Sequence, residues 1–173
     1  MQTSLVLTIL GNDNQGLVKG LSAVLHKHHA SWEESRMIHL AGKFAGLLQV
    51  TLPENQLAAL QQSLKTLQEK GLSVVVEQTQ VDVEPISQEL TLEILGQDRP
   101  GIIHDITQQL DELKINIEKL ESEIRTAPMS SEHLFFAKLS LGLPDGISVD
   151  DVQDQLEAMS DQLMVDFSFD AES

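Results

Sequence analysis

Leu5, Leu7 and Ile9 alternate with Ser4, Val6 and Thr8, the two-residue period of a strand with one buried face. A polar turn from Gly11 to Gly16 interrupts the pattern. Leu17, Val18, Leu21, Val24 and Leu25 then keep helical spacing, which predicts a helix ending near His28 and His29. Ser31–His39 predicts a second strand, Ala41-Gly42-Lys43 a hairpin connection, and Phe44–Leu52 a third strand closed by Pro53. Leu57, Leu60, Leu64 and Leu67 mark a second helix with Gly71 as its C-terminal stop, and the valine-rich run Leu72–Gln78 predicts a fourth strand. The order is β-α-β-β-α-β.

The pattern then repeats. Gly11-Asn12-Asp13-Asn14-Gln15-Gly16-Leu17 returns 85 positions later as Gly96-Gln97-Asp98-Arg99-Pro100-Gly101-Ile102, and positions 5–25 share 8 of 21 residues with 90–110. Chance at this composition gives about one or two such matches, so the chain is one unit built twice. In the second copy Leu90–Leu95 is the first strand, and Ile102, Ile103, Ile106, Leu110 and Leu113 stripe the first helix. Asn116–Arg125 and Leu134–Leu143 form the hairpin around a longer loop at 127–132. Val149, Val152, Leu156, Met159 and Leu163 keep the spacing of a last helix, and Leu163–Phe169 is the last strand. A βαββαβ unit is ferredoxin-like. The expected fold is therefore α+β: two domains, each an antiparallel four-stranded sheet with both helices on one face. The first spans residues 1–82 and the second 89–173, joined by a linker at 83–88. Val6 and Leu10, on the outer face of the first sheet, suggest that this face is partly covered.

Charge and composition narrow the function classes. The net charge is −16; residues 1–85 carry 6 basic and 8 acidic groups, and residues 86–173 carry 5 and 19. DNA binding needs cations that neutralise phosphates, so this chain, and its second half above all, is built to repel DNA. The acidic half reads as a solvated surface or as a face for a basic partner. There is no cysteine, which excludes disulfides, thiolate metal sites and a thiol nucleophile. No apolar run reaches the ~18 residues of a membrane span, and no signal segment is visible, so a cytoplasmic location is expected.

The candidate chemistry lies in the two polar turns, where a strand runs into a helix start with free backbone N–H groups. Asp13 and Asp98 read either as helix caps or as part of a cradle for a small zwitterion, whose carboxylate would meet the N–H groups. Gly16 and Gly101 either admit a ligand closely or allow tight packing of strand on helix. Pro100 suits the first helical turn. Arg99 has Asn14 as its counterpart, so two such sites would differ in charge. The candidate ligand-binding residues are Asn12, Asp13, Asn14, Gly16 and Leu17 in the first turn, and Gln97, Asp98, Arg99, Gly101 and Ile102 in the second. No Gly-Lys-Ser/Thr or Gly-x-Gly-x-x-Gly pattern follows either turn, which argues against nucleotide binding. His26, His28 and His29 read as a solvated helix end, with a metal site as the lesser reading. No cofactor, metal ligand set or catalytic triad is expected, and Trp32, the one tryptophan, is expected to pack in a core or between domains.

The motifs Gly11-x-Asp13-x-x-Gly16-Leu17 and Gly96-x-Asp98-Arg99-Pro100-Gly101-Ile102-Ile103 resemble the strand–turn–helix signature of ACT domains, regulatory modules that often bind amino acids. The second copy is nearer the family pattern; the first has Asn14-Gln15 in place of Arg-Pro. A pair of ACT domains with no catalytic domain is similar to the glycine cleavage repressor family, and the stretch from Asn116 to Pro128 resembles the second domain of that family. The resemblance implies an accessory regulator that is not an enzyme and does not bind DNA itself. It would sense glycine or a similar small amino acid and act on a LysR-type transcriptional activator, with homo-oligomers open to it. Two rival readings are a regulatory subunit of a metabolic enzyme and a ligand-free interaction scaffold. ACT modules similar to the first copy also precede catalytic domains, as in formyltetrahydrofolate deformylases, but here the second repeat takes up the remaining length.

Overall fold

A computed structural model of the chain describes residues 1–12, 15–79, 86, 88–159, 161 and 163–168. It divides into two units, Met1–Asp82 and Val83–Ser173. Residues 83–85 and 87 of the expected linker lie outside the described residues, and Gln88 already belongs to a strand.

In the first unit β1 (Gln2–Asn12), α1 (Leu17–Lys27), β2 (Ser31–Leu40), β3 (Lys43–Pro53), α2 (Leu57–Glu69) and β4 (Leu72–Gln78) follow in the order that the alternation predicts. A short 3-10 turn, Glu54–Gln56, leads into α2. The sheet order is β2-β3-β1-β4, antiparallel throughout. Ala41 and Gly42 both take positive φ (49° and 77°) between the paired residues Leu40 and Lys43, the geometry of a two-residue hairpin turn. Gly71, at φ 92°, reverses the chain after α2, where a side chain would be strained.

The core follows from the alternation. Leu5, Leu7 and Ile9 of β1 and Leu48, Val50 and Leu52 of β3 bury against Leu21 and Leu25 of α1 and Leu60, Leu64 and Leu67 of α2. Both helices therefore cover one face. The opposite face carries Leu10, Ile38, Leu40, Leu47 and Val75, all exposed; Leu10 keeps 53% of its surface in solvent.

The second unit repeats this plan with β5 (Gln88–Gln97), α3 (Ile102–Glu112), β6 (Asn116–Thr126), β7 (His133–Leu143), α4 (Val149–Glu157) and β8 (Leu163–Ser168), in the sheet order β6-β7-β5-β8. Its core joins Leu90, Leu92 and Ile94 to Ile102, Ile106 and Leu110 of α3 and Val152 and Leu156 of α4. The copies agree in detail. The pairing slips between Trp32 and Ser35 in one and between Ile117 and Lys119 in the other. His29 and Lys114, 85 positions apart, both sit at positive φ just past a helix end.

Two expectations about these elements need correction. Ser148 starts α4 through a capping box with Asp151, but the helix stops at Glu157. Met159 lies beyond it and Leu163 opens β8 opposite Gly96; both are buried, so apolar spacing alone carries the helical pattern past its true end. Phe169, expected as the last strand residue, lies outside the described residues. Trp32 is 37% exposed at the sheet edge, its indole N–H donating to Ser35 Oγ at 3.2 Å, and is not a core residue.

Candidate functional site

The second turn is fully described. β5 ends at Gln97, and Gly101 caps α3 with φ 83° and ψ 5°; Gly16 caps α1 with φ 89° and ψ 6°. A Cβ added at either glycine would meet no atom of the described residues within 4 Å. Tight strand–helix packing does not select glycine there. The left-handed backbone does, since any L side chain is strained in it.

Among the described residues no side chain caps the start of α3. Asp98 therefore does not cap α3. Its backbone N–H donates to the carbonyl of His133 at 3.1 Å, pinning the turn to the first residue of β7. Pro100 stands one position before the Gly101 cap and not inside the first helical turn. The first bond of the helix runs from Asp105 N–H to Gly101 C=O at 3.0 Å, so the leading N–H groups have no side-chain acceptor of their own.

Beside this turn opens a cavity of about 600 Å³ lined by Gln97, Arg99, Asp105 and Asp161. Arg99 Nη2 lies 2.8 Å from Asp105 Oδ2, and its Nη1 donates to Pro100 C=O at 3.4 Å. Asp105 Oδ1 is 3.4 Å from His104 Nδ1. The Arg99 hydrogen bond foremost, then the His104 contact, holds the Asp105 carboxyl below the ordinary carboxylate value. Asp161 arrives from the connection between α4 and β8, which the pairing of Leu163 with Gly96 brings alongside β5.

Of the residues that the sequence singles out, Gln97 and Arg99 face this cavity and Asp98 is not among its lining. Ile102 packs in the core at 4% exposure, so only its backbone can meet a ligand. In the first turn Asn12 Oδ1 accepts from Lys43 Nζ at 2.6 Å, and Leu17 packs against the core of its unit. Asp13 and Asn14 lie outside the described residues. Asp105 and Asp161 are functional candidates that pattern reading misses. Asp105 is one turn into a helix, where an acid looks like ordinary surface, and Asp161 reaches the site only through sheet pairing.

The histidine cluster is not a uniform solvated helix end. His28 is buried, its Nδ1 3.3 Å from Gln56 Oε1 and its Nε2 2.8 Å from Ser63 Oγ. Both ring nitrogens are engaged, which leaves neither for a metal. Among the described residues no cluster of three His, Asp or Glu is placed to hold a metal ion.

The ACT-domain family profile matches residues 3–77. A UPF0237 protein of Methanopyrus kandleri is 34% identical over 82 residues, which make up 46% of this chain and 91% of that protein. The crystal structure of an unknown protein from Galdieria sulphuraria matches with a TM-score of 0.78 at 26% identity, covering 98% of this chain and 99% of that one. A protein provisionally described as a glycine cleavage system transcriptional repressor matches with a TM-score of 0.73 at 16% identity, covering 98% and 99%; at that identity the likeness is one of fold. With the family profile running from β1 into β4, a relative covered almost end to end, and the same strand order in the second unit, the chain belongs to the ACT-domain family and carries the fold twice.

Proposed function

We propose that this tandem ACT protein is an accessory transcriptional regulator that senses glycine or a similar small amino acid at the second strand–turn–helix. The observation that carries the reading is a cavity in which Arg99 faces Asp105 and Asp161, with the Gln97 amide beside it and an uncapped helix start next to it. A small zwitterion needs such a place. Its carboxylate suits the Arg99 guanidinium and the leading N–H groups of α3, and its ammonium suits Asp161. Asp98 and the backbone of Gly101 and Ile102 complete the turn. The first turn, with Asn12, Asp13, Asn14, Gly16 and Leu17, is the weaker of the two sites, because Asn14 stands where the second copy has Arg99.

Regulation through a protein partner follows from charge. A chain at −16 has too few cations to hold DNA, so its effect on transcription passes through contact with a DNA-binding activator, of the LysR type in the family it resembles. No described helix is long and apolar enough to cross a membrane, and the reading places the protein in the cytoplasm. Ligand switches such a protein only by binding one state more tightly than another.

Calorimetric titration with each common amino acid tests the sensor. Glycine or a close analogue should bind the native chain, and Arg99→Gln should weaken that binding without lowering the melting temperature. Absence of binding by any amino acid would leave the scaffold reading in place. A pull-down with and without glycine should recover a basic DNA-binding protein in a glycine-dependent way.

A further inference from the structure

We infer that the helix layer of the second unit, α3 and α4 with the groove where α3 hands over to β6, is the docking surface for a basic amphipathic helix of a DNA-binding protein. The inference rests on the reading of this chain as a regulator that acts through such a partner. The two copies of one fold set opposite charges on equivalent helices. α1 and α2 carry Lys19, Lys27 and Lys65 against a single acid, Glu69. α3 carries Asp105, Asp111 and Glu112, α4 carries Asp150, Asp151, Asp154 and Glu157, and neither has a lysine or arginine.

Helix stability does not account for the difference. A helix C-terminus is the negative end of its dipole and favours cations. α1 follows that rule with His26 and Lys27 in its last turn, and 85 positions later α3 has Asp111 and Glu112 there instead. Acids so placed cost stability, and a cation brought by a partner offsets that cost. Asp105 is engaged by Arg99, and Asp151 by Ser148 in the capping box. Asp111, Asp150, Asp154 and Glu157 stand exposed. Gln155 Nε2 donates to Glu112 Oε2 at 2.6 Å and to Gln109 Oε1 at 2.8 Å, which ties the acidic end of α3 to α4. Lys114, in the turn that closes α3, is the nearest cation along the chain.

The groove adds shape to the charge. A cavity of about 410 Å³ opens beside the same end of α3, with Leu110, Ile115 and Ile117 beneath it and Gln108, Asp111 and Asn116 at its mouth. Asp111 thus belongs both to the groove and to the acidic row. An amphipathic helix that seats an apolar side chain in this groove lays its arginines or lysines along α3 and α4. The first unit has Trp32 where the second has Ile117, and His26 where it has Asp111, so the copies differ in both parts of the surface.

A fluorescent amphipathic peptide of leucine, alanine and arginine serves as the probe, beside one with serine in place of leucine. By fluorescence anisotropy the native chain should bind the leucine peptide at least about tenfold more tightly than the serine peptide. Asp111→His with Glu112→Lys, the residues of the first unit, should weaken binding about tenfold while raising the melting temperature by about 2–5 °C. Glu121→His with Glu123→Lys makes the same change in net charge on the other face of the sheet, and its affinity should stay within about twofold of native. Ile117→Trp, which puts the bulkier side chain of the first unit in the groove, should also weaken the leucine peptide, and it decides alone should the first charge variant fail to fold. A native chain that binds neither peptide, equal affinity for the two peptides, or equal loss in the two charge variants would overturn the proposal. So would a native dimer that Asp111→His with Glu112→Lys dissociates, since the basic helices of a second copy would then be the occupant. Glycine titration separates this surface from the sensor: both charge variants should bind glycine as the native chain does. Peptide binding here without binding of any amino acid keeps the surface and sinks the sensor. Glycine binding with peptide affinity unchanged in these variants does the reverse.

Discussion

The guanidinium of Arg99 lies 2.8 Å from the carboxylate of Asp105, six residues further on and one turn into α3. The pair is partly exposed, so solvent screens it and it contributes little to stability. What it does is fix the direction of the arginine. A guanidinium with one edge on Asp105 is held in a set orientation at the cavity wall. Arg99→Gln should weaken amino-acid binding about ten- to a hundredfold, the range for loss of one charged hydrogen bond, and Arg99→Lys should rescue only part of it. Calorimetry beside thermal melts separates the two effects: a large fall in melting temperature with unchanged affinity would make the pair structural.

Asp105 and Asp151 both have carboxyls held below the ordinary value of 3.8, the first by Arg99 and His104, the second by the backbone N–H and hydroxyl of Ser148. A carboxyl depressed in the folded state binds its proton less readily there than in the unfolded chain. The stability it contributes is complete above 3.8 and is lost as pH falls through the depressed folded values. Acid unfolding followed by circular dichroism should therefore shift to higher pH in Asp151→Asn, which forfeits this contribution at every pH. Its stability at neutral pH should also be lower than that of the native chain. Ser148→Ala, which removes the hydroxyl half of the same capping box, should cost about 1 kcal/mol.

At Gly101 backbone geometry, and not space, selects glycine. With φ at 83° and no atom within 4 Å of an added Cβ, alanine fits sterically and is strained conformationally. Gly101→Ala should destabilise by about 1–2 kcal/mol, and Gly101→Asn by less, because asparagine tolerates the left-handed region. Gly46 is the opposite case: its Cβ would stand 2.4 Å from the Arg36 carbonyl, so Gly46→Ala forces β2 and β3 apart. Urea unfolding of the three variants should rank Gly46→Ala as the most destabilised.

Lys114 and His29 sit at φ 57° and 55°, each just past the end of a first helix. Around both, the same pair of bonds closes the helix: Ala30 N–H to Leu25 C=O at 3.0 Å, and Ile115 N–H to Leu110 C=O at 3.1 Å. This is a position that glycine commonly fills, and here a side chain bears the strain. Lys114→Gly should stabilise the chain by about 0.5–1 kcal/mol in urea unfolding, since relief of strain exceeds the added flexibility of the unfolded chain.

The sequence makes the elements legible because each core strand alternates strictly and each helix keeps a single leucine or isoleucine stripe. Leu72–Gln78 is both the expected and the observed range of β4. Legibility fails where a residue's role depends on a partner far away in the chain. Asp161 joins Arg99 only because β8 lies beside β5, and His28 is internal only because α2 packs across it. It also fails where two patterns share one set of residues. Met159 and Leu163 satisfy the helical period and are buried, yet one follows the helix and the other starts a strand. The glycines of the turns are legible as necessary, but their reason is not, since spacing carries no information about φ.

His28 links the two helices of the first unit through both of its ring nitrogens. With Gln56 Oε1 as acceptor, the matching tautomer has the proton on Nδ1 and the Ser63 hydroxyl donating to Nε2. Removing the ring leaves a half-buried amide oxygen and a half-buried hydroxyl without their partner. His28→Leu, close in size to the imidazole, should therefore cost about 1–3 kcal/mol. Ser63→Ala alone should cost about 1 kcal/mol, and the double variant less than the sum of the two, because the same bond is removed twice. If the histidines instead held a metal, a chelator would lower the melting temperature and His26→Ala would do so as well. The hydrogen-bonded reading expects neither change, and urea unfolding with and without chelator distinguishes them.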